Sequence, residues 1–524
     1  MATARPVLLL AVFVAGACSI VYELLVSTVS AYFLGDSVKQ FSLTIGVYLF
    51  AMGIGALLTR SIKRNELEWF VATELLLGLT GGLSVPFLYL LFQYQGGLGY
   101  QLPMLGLVFG IGTLTGLEIP LLTRALDGLA AATDNLAEVL GYDYIGALVA
   151  TLLFPFLLLP FVGLYNSSLL FGAVNLCLGG LILWFFRGQL EARSRVRRGW
   201  LFGALAGGLL LFFYLAWQSD PFLRAYEARI YPNPIIYQTN SPYQNITLTQ
   251  HADDTRLYLN RVIQFSSRDE YRYHEALALI PAAAVRTGHG VRRALILGGG
   301  EALLARELLK LPELERVRVV DLDGAVLQLA RENGRLRGTN EGATADPRVE
   351  LIENDASVFL RQDTATYDLI LADLPDPGNE SLARLYSTWF YRLVRARLAP
   401  GGVFCTQATS PFDTRNTYWS IHETLRAAGF PDVVPYHVYV PSFGDWGFHL
   451  ACPDGCPPLD YRRDVPVDRL RYLEPDLLPL LTYFPADMRR PDGIEANGLD
   501  RPVLLDYFLD EYASWRAQSP PPYE

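Results

Sequence analysis

The sequence predicts an α-helical transmembrane bundle of about seven spans fused to an α/β Rossmann-like domain with a small β-rich subdomain. Three observations predict it. Of the 524 residues, 51% are hydrophobic and only 18% charged, and the apolar excess falls in the first 217. That half repeats nearly uncharged stretches of about 20 residues, the length that crosses a bilayer. From residue 291 onward, short buried strands alternate with helical patterns, the signature of a doubly wound parallel sheet.

The spans read as 6–34, 41–60, 70–93, 99–123, 143–164, 167–186 and 200–217. A soluble core helix would keep a polar face, and "SLLFGAVNLCLGGLILWFF" has almost none. Basic loops follow the second span ("RSIKRNE") and the sixth ("RGQLEARSRVRRG"). Such loops stay in the cytosol, so the N-terminus reads as inside and a multi-pass inner-membrane protein is expected. Seven full crossings would put residue 218 onward outside, whereas the chemistry below calls for a cytosolic domain. Glu23 and Glu118 lie within spans. An acid at membrane depth is costly and marks function, unless it only bonds a neighbouring helix.

The net charge of −10 excludes nucleic acid as a partner, which needs a basic surface. Of the five cysteines, Cys18 and Cys177 sit in spans and Cys405 in a core strand. Cys452 and Cys456, in "CPDGC", read as plain thiols or one local disulfide. No further ligands lie near enough in sequence to make a metal site. The first apolar run shows no clear cleavage site, so no removable signal peptide is expected.

The domains read as 1–217 in the membrane, 218–290 β-rich, 291–457 Rossmann-like, and 458–524 a C-terminal extension. In 218–290, "NITLTQ" and "RLYLNRVIQF" are strands around the turn-forming "HADDT", before a helix at "RDEYRYHEALALIPAA". Five strand units follow, carried by "RALILGGGE", "RVRVVDLDG", "PRVELIENDA", "YDLILADLPDP" and "LAPGGVFCTQATSP".

Ligands of such sheets bind beyond the strands' carboxyl ends, and acids stand there in series. Gly298, Gly299 and Gly300 allow close backbone approach. Asp321 ends the second strand, placed to accept from ribose hydroxyls. Asp355 ends the third, placed to read an adenine amino group. Either alone could be a helix cap, but in register they imply an adenosine-bearing ligand. Asp373 and Asp376 end the fourth strand. Crowded carboxylates raise one another's pKa unless a cation lies between them. They suit a cationic amine, and one of them can take the proton an amine nucleophile must lose. Glu301 would repel a carboxylate-bearing cofactor and hold one that ends in a bare amine.

With these motifs in order ("YQNITL", "RVIQFSSRDEYRYHEAL", "LILGGGE", "VVDLD", "ENDA", "DLPDP", "TQATSP"), the chain resembles the spermidine synthase family over about 235–450. The front half resembles that family's membrane-fused branch. The resemblance implies transfer of an aminopropyl group from decarboxylated S-adenosylmethionine to an amine, usually putrescine, giving spermidine and methylthioadenosine without a metal. It also implies a small β-rich domain before a domain of the class I methyltransferase type, often in a homodimer. By resemblance, Asp373 is the base and Asp376 holds the diamine. Gln244 and His274 line the substrate pocket. Glu301 binds the aminopropyl amine, Asp321 the ribose, and Asp355 with Ala356 the adenine. The chain departs from the family at Glu301-Ala302-Leu303 (family Asp-Gly-Gly), at Leu259-Asn260-Arg261 (Leu-Asp-Gly), at Asp321 (Glu) and at Glu380 (Pro). Two other classes are to be told apart from the transferase. A transporter or sensor would bind polyamine or nucleoside without turnover. An N-methyltransferase would bind intact S-adenosylmethionine.

Overall fold

The computed structural model describes residues 4–34, 37–94, 98–127, 132–187, 195–228, 231–457, 469–474 and 476–518. The chain forms two compact units, Met1–Tyr226 and Glu227–Glu524.

The first unit is helical throughout: α1 (Ala4–Leu34), α2 (Ser37–Leu58), α3 (Glu66–Gly82), α4 (Ser84–Tyr94), α5 (Leu98–Asp127), α6 (Ala132–Leu153), α7 (Gly163–Phe185), α8 (Arg195–Trp217) and α9 (Ser219–Ala228). Six runs among the described residues are long and apolar enough to cross a membrane, by length and composition. One of them, Leu136–Phe185, is 50 residues long. At 1.5 Å per residue it measures about 75 Å, over twice the ~30 Å hydrocarbon core. The expected fifth and sixth spans both fall in it. It loosens into a wide π-helical stretch over Phe154–Val162 and breaks at Gly163, whose φ of +77° suits glycine.

The unit is apolar on its outside as well as in its core. Phe156, Phe161, Trp200, Leu210 and Phe213 point outward, while Glu74, Glu118, Ser167 and Asn175 are buried. Glycines let the helices close: a Cβ on Gly55 would stand 2.0 Å from the carbonyl oxygen of Thr113, and one on Gly146 2.1 Å from that of Phe13. Glu23 is only partly buried.

The second unit opens with an antiparallel sheet in the order β1 (Ile235–Asn240), β2 (Asn245–His251), β3 (Asp254–Leu259), β4 (Val262–Ser266). Leu259 pairs with Val262, which leaves a two-residue turn with φ of +49° at Asn260 and +71° at Arg261. A type I′ hairpin needs positive φ at both. The departure from Asp-Gly therefore keeps the turn and places an arginine where glycine is easier.

After α10 (Glu270–Ala284) comes a seven-stranded sheet, in the spatial order β10-β11-β9-β8-β5-β6-β7. Its members are β5 (Arg293–Gly298), β6 (Arg316–Asp321), β7 (Val349–Glu353), β8 (Tyr367–Asp373), β9 (Leu398–Gln407), β10 (Asp432–Val440) and β11 (Gly444–Cys452). The first five strands are mutually parallel, and β11 and β10 add an antiparallel edge. The central strands are buried on both faces, as their Leu/Ile-rich sequences require. The order reverses between β5 and β8, with Gly298 beside Asp373 in register. That switch point opens the crevice in which such sheets bind ligands.

The helices flanking this sheet are α11 (Leu303–Leu308), α12 (Gly324–Glu332), α13 (Gly334–Thr339), α14 (Ala356–Gln362), α15 (Glu380–Ala383), α16 (Thr388–Arg395) and α17 (Arg415–Ala427). Two more, α18 (Leu478–Leu481) and α19 (Val503–Gln518), belong to the C-terminal extension. The extension packs into the domain. Buried Glu275 accepts the backbone N–H groups of Arg471, Tyr472 and Leu473 at 2.7, 2.9 and 3.0 Å, and Leu473, Leu478 and Leu481 join the core. "CPDGC" closes as a Cys452–Cys456 disulfide.

Candidate active site

The glycine turn is shaped by what it approaches. Gly298 and Gly299 have φ of +82° and +62°. A Cβ on Gly298 would stand 2.1 Å from the Asp373 carbonyl oxygen, and one on Gly300 2.7 Å from Asp321 Oδ2. Only glycine lets the turn lie this close to both strand ends. Ala302, in a family glycine position, keeps a φ of +67°, so the turn is preserved at a cost of about 1 kcal/mol.

Asp321 braces this loop. Its Oδ2 accepts Gly300 N–H at 3.0 Å and its Oδ1 accepts Asp323 N–H at 2.9 Å. Burial, against these bonds, pushes the carboxyl up to about 6. Gln244 lies on this side as well, its amide donating to Asp323 Oδ2 at 2.8 Å. Asp355 caps α14, accepting the amides of Ser357 and Val358 at 2.8 and 3.0 Å, and its Oδ2 accepts from Arg384 at 3.2 Å. The helix cap read as the alternative to a ligand role is thus present, with Ala356 as the first helical residue.

A cluster of titratable side chains lies where β5, β8 and α10 meet. Atoms of His274, Glu301 and Asp373 fall within 4.8 Å of one another. His274 Nδ1 is 2.9 Å from Glu270 Oε2, and Nε2 is 3.7 Å from Glu301 Oε1. Arg306 grips the same Glu270 with both terminal nitrogens, at 2.9 and 2.8 Å. Burial works against every charge here, and the pairing overrides it. Glu270 is held down to about 2 by His274 and Arg306, and His274 is raised to about 10 by Glu270 and Glu301. An imidazolium has no lone pair for a metal, so the triangle is a cation already facing two acids.

Asp373 behaves in the opposite way. It sits enclosed at the strand end with one edge open to the crevice. Burial first, and then the Glu301 charge, raise it to about 7, against the pull of His274 and a hydrogen bond from Tyr273. That bond runs from the Tyr273 hydroxyl to Oδ1 at 2.5 Å. Asp376 is likewise pushed up to about 7 by burial. Its Oδ1 accepts from Gln407 Nε2 at 3.4 Å, and the same nitrogen donates to Leu374 O at 2.6 Å. Trp446 Nε1 donates to Gln407 Oε1 at 3.2 Å, which fixes which end of that amide faces Asp376.

The structure therefore gathers Gly298, Gly299, Gly300, Glu301, His274, Asp321 and Asp373 into one crevice, with Asp376 three residues beyond Asp373. Gln244 reaches it through Asp323 on the Asp321 side. Sequence reasoning missed Tyr273, Glu270, Gln407 and Trp446 as members of the site. Glu270, Tyr273 and His274 recur at helical spacing on α10, a polar stripe on an otherwise buried helix, and Gln407 ends β9 as Asp373 ends β8. Both signals were available.

A model of the spermine/spermidine synthase domain matches residues 270–455. The chain is 42% identical to polyamine aminopropyltransferase 2 of Ralstonia nicotianae, over 96% of this chain and 98% of that one. It is 39% identical to the polyamine aminopropyltransferase of Leptospira interrogans, over 96% and 98%. It is 40% identical to that of Mycobacterium tuberculosis, over 96% and 95%. The likeness runs through the apolar half as well as the catalytic one. The chain belongs to the polyamine aminopropyltransferase family.

Proposed function

We propose that this aminopropyltransferase moves the aminopropyl group of decarboxylated S-adenosylmethionine onto putrescine, with Asp373 as the proton acceptor. The observation that carries the reading is the Asp373 carboxyl, raised to about 7 and open to the crevice beside Glu301. A base poised near the working pH is most effective in proton transfer.

The nucleoside lies along the ends of β5, β6 and β7. The glycine turn takes its close approach, Asp321 its ribose, and Asp355 with Ala356 its adenine. Glu301 holds the aminopropyl ammonium and disfavours intact S-adenosylmethionine, whose carboxylate it would repel. Asp376 holds the far ammonium of the diamine, while Gln244 and His274 complete the walls. The attacking nitrogen gives its proton to Asp373 and forms a C–N bond to the methylene beside the sulfonium. The C–S bond breaks, and its electron pair stays on sulfur as neutral methylthioadenosine. Positioning and deprotonation are the protein's share, because the sulfonium is already a good leaving group.

The apolar unit anchors the enzyme as a multi-pass protein of the inner membrane. Its outward-facing phenylalanines and leucines support this. Two passes within Leu136–Phe185 bring the number of spans to seven. Seven full crossings with the basic loops inside would put the catalytic unit outside, so one of the seven does not cross fully: we place the unit in the cytosol, where its nucleoside substrate is made, and as a homodimer.

The test is mass spectrometry of products from full-length protein in detergent, with decarboxylated S-adenosylmethionine and a panel of amines. Spermidine and methylthioadenosine should appear one for one with putrescine. Turnover with a different amine alone would revise the acceptor. Binding without any methylthioadenosine would favour the sensor reading.

A further inference from the structure

The C-terminal extension reaches the link between Asp373 and Asp376. That link, Leu374-Pro375, is followed by Asp376-Pro377, and neither proline has a backbone N–H to brace the chain. Side chains hold its carbonyl groups instead. The Tyr386 hydroxyl lies 3.0 Å from both Leu374 O and Pro375 O. Gln407 Nε2 donates to Leu374 O at 2.6 Å and to the Tyr386 hydroxyl at 2.5 Å. An amide nitrogen has two protons, and these two short bonds use both. Asp376 is left with the 3.4 Å contact to the same nitrogen.

Tyr386 is fully buried, at the end of the short turn Arg384–Tyr386. Asn497 of the extension holds that turn. Its Nδ2 donates to Ala383 O at 2.9 Å and to Tyr386 O at 3.2 Å. The other polar groups of Asn497 are engaged as well. Oδ1 accepts the Leu504 N–H at 3.4 Å in the first turn of α19, which fixes which end of the amide faces Tyr386. The backbone N–H donates to Thr424 Oγ1 on α17 at 2.8 Å, and the carbonyl accepts the Thr388 N–H on α16 at 3.0 Å. Asn497 is 0% exposed. The extension touches the loop a second time. A Cβ on Gly378 would stand 3.5 Å from Phe508 Cε1, so that ring lies against the backbone just past Asp376, where Gly378 N–H donates to Asp376 O at 2.7 Å.

These bonds form one chain. Asn497 holds Tyr386 by its backbone, and Tyr386 holds Leu374 and Pro375 by its hydroxyl. Those two are the residues that separate Asp373 from Asp376.

We infer that Asn497 is a positioning residue for amine selection: through Tyr386 it fixes the link that spaces Asp373 from Asp376, and so sets the length of diamine the crevice takes. The inference rests on the reading of these two acids as the partners of the amine's two ends. A diamine held at both ends must match the span between them. A rigid link rejects a chain one methylene too long, and a loose link accommodates it. Loss of the Tyr386 hydroxyl would also free one Gln407 N–H to turn to Asp376 and compete with the amine there.

The experiment is steady-state kinetics of full-length protein in detergent, with decarboxylated S-adenosylmethionine and linear diamines of three to six carbons. The deciding readout is the ratio of kcat/KM for the best diamine to that for its homologue one methylene longer. This ratio does not depend on how much of a sample is folded. Wild type should discriminate about 10-fold or more. Tyr386→Phe, which removes one oxygen, should raise KM for the best diamine about 10-fold, leave KM for the nucleoside unchanged and bring the ratio toward one. Asn497→Ala should do the same. The double variant should be no less selective than either single one, because the two residues act in series. If Asn497→Ala does not fold, Asn497→Asp takes its place, since it keeps the size and the bond from Leu504. The inference is overturned by a wild type that takes both lengths equally, by a wild-type ratio in Tyr386→Phe or in the Asn497 variant, or by a kcat that falls alike for every diamine with each KM unchanged, the mark of a merely structural role. In those cases the transfer reading stands. No turnover of any diamine by wild type would remove that reading and this inference with it.

Discussion

Glu270 and Asp373 stand on either side of His274, and both are carboxylates deep in the same unit. Glu270 is held down to about 2 and Asp373 up to about 7. Burial penalises the charge of both. The difference is in the neighbours. Glu270 has a guanidinium and an imidazolium in direct contact, whereas Asp373 faces Glu301 and only the far side of the same imidazolium. A carboxylate with its own cations is a fixed brace. One with a competitor acid has a raised affinity for a proton or a cation.

The largest test of this contrast removes the acceptor. Asp373→Asn should lower methylthioadenosine release about 10³-fold, while calorimetry shows the nucleoside still bound. Unchanged turnover would erase the distinction between the two acids. Removing the brace should act on stability instead. Glu270→Gln strands two buried cations, a loss of about 3 kcal/mol, read as a fall in thermal midpoint of about 10 °C. Because the pKa of Glu270 is depressed, its contribution is full above about pH 4, the unfolded value. It disappears as pH falls toward about 2, so the gap between variant and wild type should close between pH 5 and 2.

A finer change loosens only the bond that favours Asp373 as a carboxylate. Tyr273→Phe removes the hydroxyl donating to Oδ1. The acid limb of the rate profile should move to higher pH, costing about 10-fold at pH 7 for a bond to a charged group and little at pH 9. The smallest effect is a gain. The pKa of Asp373 is raised on folding, so its ionisation penalty is absent below about pH 4, grows up to its folded pKa of about 7 and is constant above it. Ligand-free Asp373→Asn should therefore melt a few degrees higher than wild type at pH 8 and level with it at pH 4.

Much of this was legible in the sequence. Strand ends carrying Gly298, Asp321, Asp355 and Asp373 follow from alternating buried strands and helices, because a parallel sheet puts all those ends on one edge. The Glu270–Arg306 brace was not legible. Its partners are 36 residues apart, and only packing of α10 on α11 brings them together. Glu74 was passed over in "VATELLLGLT", where one acid in an apolar run gives no hint that it is fully buried, while Glu23, equally prominent, proves only partly buried. The substitutions at Asn260, Arg261 and Ala302 read as departures from the family, yet all three keep left-handed backbone. Residue identity departs from the family there, while the backbone stays in the region that glycine favours. The role of the C-terminal extension was hidden for a similar reason, since its hold on Glu275 uses backbone N–H groups that any residue could offer.

The measurement that tests the central claim most directly is the pH dependence of kcat/KM for the amine, in wild type and Tyr273→Phe, on full-length protein. The account predicts an acid limb centred near pH 7 that moves upward in the variant, reporting a carboxyl raised by burial and Glu301. An acid limb near pH 4 in both proteins, where an ordinary aspartate titrates, would contradict it.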